Sequence, residues 1–192
     1  MTMKANTIST KNSYLENLVT VNSIEIAKET IPFTEKVRQW CKLGGGCPNY
    51  GNSPLCPPKA EYRANVVDQY NYFTLVYARF DLYAFKAIMK AKHQDWSDRM
   101  CGNSRYWQKG VKAIMRQWIQ EKNLSYDDML GCGGGFCGKQ SMESAGIFVM
   151  LLYRRNHVEF ELKPTTTVVL SALLMSKERI KPARAISLEA FL

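Results

Sequence analysis

The hydrophobic pattern of this chain is clearest between Tyr72 and Phe80, where Tyr-Phe-Thr-Leu-Val-Tyr-Ala-Arg-Phe runs with a single charge. A short apolar run rich in aromatic and β-branched side chains suits a strand covered on both faces, so it predicts the central strand of a sheet. Asn22 to Lys28 and Val158 to Leu162 alternate apolar and polar residues instead, the period of a half-buried strand. Thr165 to Met175 opens β-branched and predicts another strand, although its Ala-Leu-Leu-Met end also suits a helix. Helical spacing takes over at Leu82 to Lys92, and again from about Ser104 to Lys122. In the second stretch Trp107, Val111, Ile114, Met115, Trp118 and Ile119 share one side and read as core. Arg105, Lys109, Lys112 and Arg116 share the other side, expected to be a solvated basic face. Thr34 to Trp40 predicts a short helix with Thr34 as N-cap. Ser141 to Asn156 predicts a mostly buried helix, capped by Ser141 and closed by Arg154 and Arg155. Strands alternating with helices predict an α/β fold, a single compact domain built as a mixed sheet with flanking helices. Residues 1–13 are polar and aperiodic and are expected to form a flexible N-terminus, leaving 14–192 as the one α/β domain.

Two stretches escape every period, and both carry cysteine. Trp40 to Pro58 holds Cys41, Cys47 and Cys56 among Gly44, Gly45, Gly46, Pro48 and Pro54; Gly131 to Gly138 holds Cys132 and Cys137 among five glycines. Sequence this rich in Gly and Pro forms loops, not helix or interior strand. The fold is expected to bring the two loops together around a metal centre, which makes 14–192 a metal-binding domain. No Cys-x2-Cys pair occurs, which argues against a zinc ribbon, a thioredoxin-like dithiol and the bacterial ferredoxin pattern. The two histidines, His93 and His157, lie far from any cysteine, so a Cys2His2 finger is excluded, whereas an all-thiolate zinc site is not.

Several features favour an iron–sulfur cluster. A cluster with its thiolates is a net anion that needs donors close by. Gly45, Gly46, Gly133 and Gly134 let backbone N–H groups approach sulfur, forming an anion-holding nest. Pro48 after Cys47, and Pro57 and Pro58 after Cys56, stiffen the chain just beyond a ligand. The helix expected at Ser141 points its positive end back at Cys137. These features predict one [4Fe–4S] cluster with ligands drawn from Cys41, Cys47, Cys56, Cys132 and Cys137; zinc is the alternative. Cys101 has no partner at ligand spacing and is expected to behave as a small buried apolar residue. Glu143, in the first turn of the expected helix, is a candidate proton donor or acceptor beside the cluster, though an acid there also stabilises a helix N-terminus by itself.

Composition changes this picture little. Hydrophobic residues make up 46% and charged residues 22%, and no apolar run approaches a membrane span, so the protein is expected to be soluble. The first residues carry no secretory h-region, which predicts a cytoplasmic protein whose cysteines stay reduced. A net charge of +9 makes nucleic acid a possible partner beside a redox partner or small-molecule substrate.

The motif Cys47-Pro48-Asn49-Tyr50-Gly51-x4-Cys56-Pro57-Pro58, preceded by Cys41, stands far upstream of Ser141-Met142-Glu143-Ser144-Ala145-Gly146-Ile147. Together the two resemble a family of predicted metal-binding proteins, a cysteine-rich domain of unknown function common in anaerobic archaea and bacteria. The likeness runs from about Asn22 to Met175, with motif order and separation matching. It implies a cytoplasmic, oxygen-sensitive protein with a cysteine-ligated metal of the iron–sulfur kind, and it implies no reaction. Family members usually carry a denser cysteine run, often with His-Pro, before the Ser-Met-Glu motif, where this chain has only Gly131 to Lys139. Phe148 stands where an Asp is common. The shorter loop implies one centre, not two.

Overall fold

The computed structural model describes residues 13–42, 47, 49–132 and 136–179, with the side chains of Ser13 and Cys137 excepted. The expected flexible N-terminus lies outside the described residues up to Ser13. The elements are α1 (Ser13–Glu16), β1 (Val19–Ile26), α2 (Glu35–Gln39), β2 (Tyr72–Asp81), α3 (Leu82–Lys92), α4 (Asp98–Cys101), α5 (Gln108–Glu121), β3 (Asp128–Leu130), α6 (Val149–Arg155) and β4 (Thr167–Ser176). The Tyr72 run is indeed an inner strand. The sheet order is β1-β2-β4-β3, and all its neighbours pair antiparallel. Parallel pairing occurs among the described residues at one isolated bridge, Gly131 with Ser141, next to the second cysteine loop.

Both faces of the sheet are covered, which is why β2 reads as an unbroken apolar run. Val76, Ala78 and Phe80 of β2 pack with Ala172 and Leu174 of β4 against Phe85 of α3 and Met115 of α5. Phe73, Leu75, Leu173 and Met175 face the other way, toward Leu152 and Tyr153 of α6 and toward Met142, Ala145 and Ile147. The domain is therefore an α/β fold with helices on both faces of one antiparallel sheet. Asp81 caps α3, its carboxylate accepting from the Ala84 amide at 2.8 Å.

Three local expectations need correction. No helix begins at Ser141: residues 141–147 form a tight turn, and α6 starts only at Val149. Gly146 stops it, with φ +100° and the ring of Tyr62 where a Cβ would lie, 2.3 Å from the nearest ring atom. Val158 to Leu162 is not a strand. Glu161 instead accepts hydrogen bonds from the amides of Thr165 at 2.6 Å, Thr166 at 3.1 Å and Thr167 at 2.8 Å, bending the chain straight into β4. The basic side of the Ser104–Lys122 stretch is solvated only in part: Arg105 and Lys109 are exposed, Arg116 is half-buried and Lys112 is buried. The Ala-Leu-Leu-Met end of β4 is strand, paired with both β2 and β3. Among the described residues no helix is long and apolar enough to cross a membrane.

Candidate metal centre

The first cysteine loop leaves α2 through a short 3-10 turn, Trp40–Lys42, that carries Cys41. Thr34 caps α2 as expected, accepting from the Lys36 amide at 3.3 Å. The Cys47 amide then donates to the Cys41 carbonyl at 2.8 Å, so the two cysteines are held together across residues 43–46. Tight turns follow: Tyr50 N–H to the Cys47 carbonyl at 2.9 Å, Cys56 N–H to Ser53 at 3.1 Å, and Ala60 N–H to Cys56 at 2.9 Å. Gly51, at φ +72°, donates to the Pro57 carbonyl at 2.8 Å, folding the loop onto itself. Cys47 is exposed, Cys41 and Cys56 are half-buried, and all three thiols are free.

The segments entering and leaving this loop, residues 32–40 and 61–63, are fastened to the Ser141–Ile147 turn and its neighbours Gln140 and Phe148. The Thr34 amide donates to the Gly146 carbonyl at 2.7 Å, Phe148 to Pro32 at 2.9 Å, and Arg63 to Ala145 at 3.0 Å. Gln140 reaches the Glu61 carbonyl at 2.6 Å, and the Trp40 ring meets Phe148 edge-on at 5.2 Å. Below these contacts Arg63 pairs with Asp128 at 2.6 Å, side chains 13% and 19% exposed. Burial alone would raise the Asp128 carboxyl, but the Arg63 hydrogen bond, the Met129 amide and Lys139 outweigh it and hold it below its usual range.

The second cysteine loop is closed at its base by Gly131, which donates to the Gln140 carbonyl at 2.9 Å and accepts from the Met142 amide at 2.9 Å. A Cβ at Gly131 would stand 2.4 Å from that of Phe136, so only glycine lets the loop return this closely. Phe136 is buried, with the Arg116 guanidinium 5.7 Å from its ring centre. Extending the β3–β4 register, in which Leu130 lies opposite Leu173, places the buried Cys132 opposite Ser171.

Glu143 bears electrostatically on one cysteine of each loop. The Cys41 thiol is pushed up by burial, then by Cys47, Cys56 and Glu143. Cys132 is pushed up to about 12, chiefly by burial and also by Glu143, while Lys112 and the amides of Cys132 and Ser171 oppose the shift. Tyr153, fully enclosed and hydrogen-bonded to the Ser171 hydroxyl at 2.7 Å, is pushed up by burial and again by Glu143 and Cys132. Glu143 thus lies within electrostatic reach of both cysteine loops. It sits in an isolated turn, not at a helix N-terminus, so the helix-dipole explanation of its position lapses.

The donor set suits a soft metal: Cys41 feels the charges of Cys47 and Cys56, and Cys132 feels a lysine beside it. Among the described residues no group of three His, Cys, Asp or Glu side chains converges as a metal site. Gly45, Gly46, Gly133 and Gly134 lie outside the described residues, as does the Cys137 side chain, although its backbone forms a 3-10 turn with Phe136 and Gly138. Cys101 is buried in the sheet–helix core, as expected of a small apolar residue. Sequence reasoning missed the roles of Lys112, Tyr153, Ser171 and the Arg63–Asp128 pair. Lys112 and Arg116, one helical turn apart, were visible as a basic pair, but nothing local says that a loop beyond β3 folds over them.

A small α/β domain with helices on both sheet faces, and free thiols on two loops flanking one carboxylate, has the features of a metal-binding protein. The chain belongs to the family described as Predicted metal-binding protein (DUF2284), whose model matches residues 24–175. No curated protein and no solved structure gives a match to this chain.

Proposed function

We propose that this protein holds a [4Fe–4S] cluster on thiolates drawn from Cys41, Cys47, Cys56, Cys132 and Cys137, and carries out redox or small-molecule chemistry there in a reducing, cytoplasmic setting. The observation that carries this reading is the clamp itself: a three-cysteine loop held at both of its ends to the turn bearing Glu143, whose charge reaches Cys41 on one loop and Cys132 on the other. When bound, a cluster supplies a one-electron store or, at an iron without a thiolate, a Lewis acid. The protein's own part is to gather the thiols, to set Lys112 and Arg116 against the anionic charge, and to hold a carboxylate nearby for proton transfer. The raised thiols of Cys41 and Cys132 mean that loading displaces protons, so affinity rises with pH. A redox protein or a small-molecule substrate would be the partner.

Strictly anaerobic purification tests this. The expected result is a brown protein with a broad band near ~400 nm, about four irons and matching sulfide per chain, reduced by single Cys-to-Ser changes. Full iron in all five variants would falsify the assignment of these ligands. A colourless protein with one zinc and no sulfide would replace the cluster by a zinc-stabilised binding module.

A further inference from the structure

β3 covers only Leu173–Met175 of β4. Beyond it, toward Cys132, the stretch Val168–Ser171 of β4 pairs with β2 on one side but has no strand on its β3 side among the described residues, and there a cleft of about 290 Å³ opens between β4, α6 and the Glu161 bend. Its size is at the lower end of the ~300–1,000 Å³ typical of small-molecule sites. Val149, Met150, Phe160, Leu162, Val168 and Leu170 make its walls apolar.

The inner end is polar and built. Tyr153 and Ser171 both line it, 4% and 1% exposed, with their hydroxyls 2.7 Å apart. Two hydroxyls carry two protons and the bond between them uses one. Whichever oxygen donates, the pair keeps one O–H that no acceptor among the described residues takes. A buried donor of this kind is costly until something accepts from it. Cys132 and Glu143, both within electrostatic reach of Tyr153, line the cleft as well, as does Gln108.

Charge narrows the occupant further. Among the described residues the lining holds the carboxylates of Glu143 and Glu161 and no Lys, Arg or His, which disfavours an anion. Glu161 is engaged by the amides of Thr165, Thr166 and Thr167, and Lys112, buried behind Cys132, offsets negative charge at the inner end, so a cation gains little.

We propose that this cleft binds a small uncharged molecule with an apolar body and a hydrogen-bond-accepting head, a carbonyl or hydroxyl compound, its head on the Tyr153–Ser171 pair. Binding stands on the cleft alone; only the further step, that the bound molecule is what the centre acts on, rests on the cluster reading. The head would lie beside Cys132 and Glu143, where the two sites meet.

The test uses anaerobically purified full-length protein and three near-isosteric probes: acetophenone, benzoate and benzylamine, followed by ligand-observed NMR titration with iron measured on the same samples. Acetophenone is expected to bind at least tenfold more tightly than either charged probe. Ser171→Ala and Tyr153→Phe are each expected to weaken it several-fold, and Leu170→Trp, on the half-buried wall, to abolish it, all with unchanged iron content. Equal binding of the three probes, no binding, or acetophenone affinity indifferent to all three substitutions overturns the proposal. Wild-type protein that binds acetophenone but holds no iron overturns the cluster and leaves the cleft.

Discussion

Cys132 shows how much a single residue's surroundings decide. Its thiol keeps its proton in the folded state up to about 12, whereas the unfolded chain releases it from about pH 9. Between those values the unfolded state binds fewer protons, so the stability of the metal-free protein falls as pH rises, by about 1.4 kcal/mol per pH unit for a group of this kind. Denaturant unfolding of reduced apoprotein from pH 8.5 to 10.5 is expected to show this decline, and Cys132→Ala to flatten it, with Tyr153 adding the same sign above its ordinary range. Gly146 is the second such residue. Gly146→Ala places a methyl group against Tyr62 at a positive φ and is expected to cost about 2–3 kcal/mol, read as a lowered denaturation midpoint. An unchanged midpoint would mean that the Tyr62 ring moves aside freely. The cysteines and Glu143 were legible as residue types in an unusual setting. Lys112 was not: its helical period groups it with Arg105 and Lys109, which are exposed, whereas Lys112 is buried within electrostatic reach of Cys132, far along the chain.

At the scale of elements, strands and helices that carry their own pattern were legible: β2, α3, α5 and β4 emerge close to where periodicity puts them. The misses have one cause, competition from distant backbone. The Ser141–Asn156 stretch has helical composition, but Thr34 and Pro32 claim the backbone groups of Gly146 and Phe148 that a continuous helix would use. β3, only three residues long, is too short to show a period and exists because β4 offers it an edge. Arg63 joins these elements, bonding Ala145 through its amide and Asp128 of β3 through its guanidinium. Arg63→Ala is expected to cost about 2 kcal/mol, the loss of one charge-assisted hydrogen bond from a partly buried pair. Hydrogen exchange should then speed up at Met129 and Ala145 while α3 and α5 keep their protection; a uniform change throughout the molecule would argue against a local joint.

For the whole molecule, the second cysteine loop is part of the core, since Cys132 and Phe136 pack in the same cluster as Phe85 and Met115, whereas the first loop is held through the segments at its ends. A metal bound across both loops stabilises only the folded chain, by RT ln(1 + [L]/Kd), so a ligand at a hundred times its Kd contributes about 2.7 kcal/mol. Metal-replete protein is therefore expected to melt several degrees above apoprotein, with added exchange protection concentrated in residues 41–62 and 131–148. Protection confined to one loop would show that the two do not share a centre. The α/β class was legible because it rests on the hydrophobic pattern of the strands and helices. The closure of the clamp was not, because it depends on side-chain and backbone bonds between segments far apart in the chain.

That separation has a consequence for how the protein is made. The Glu61 carbonyl waits for Gln140, 79 residues later, and Thr34, Trp40 and Arg63 wait for the same short turn. While a ribosome is still short of that turn, the first three cysteines are exposed on a nascent segment with nothing to rest on. A centre built on both loops, as proposed above, would thus be completed late in synthesis, and machinery delivering its metal would have to meet a nearly finished chain.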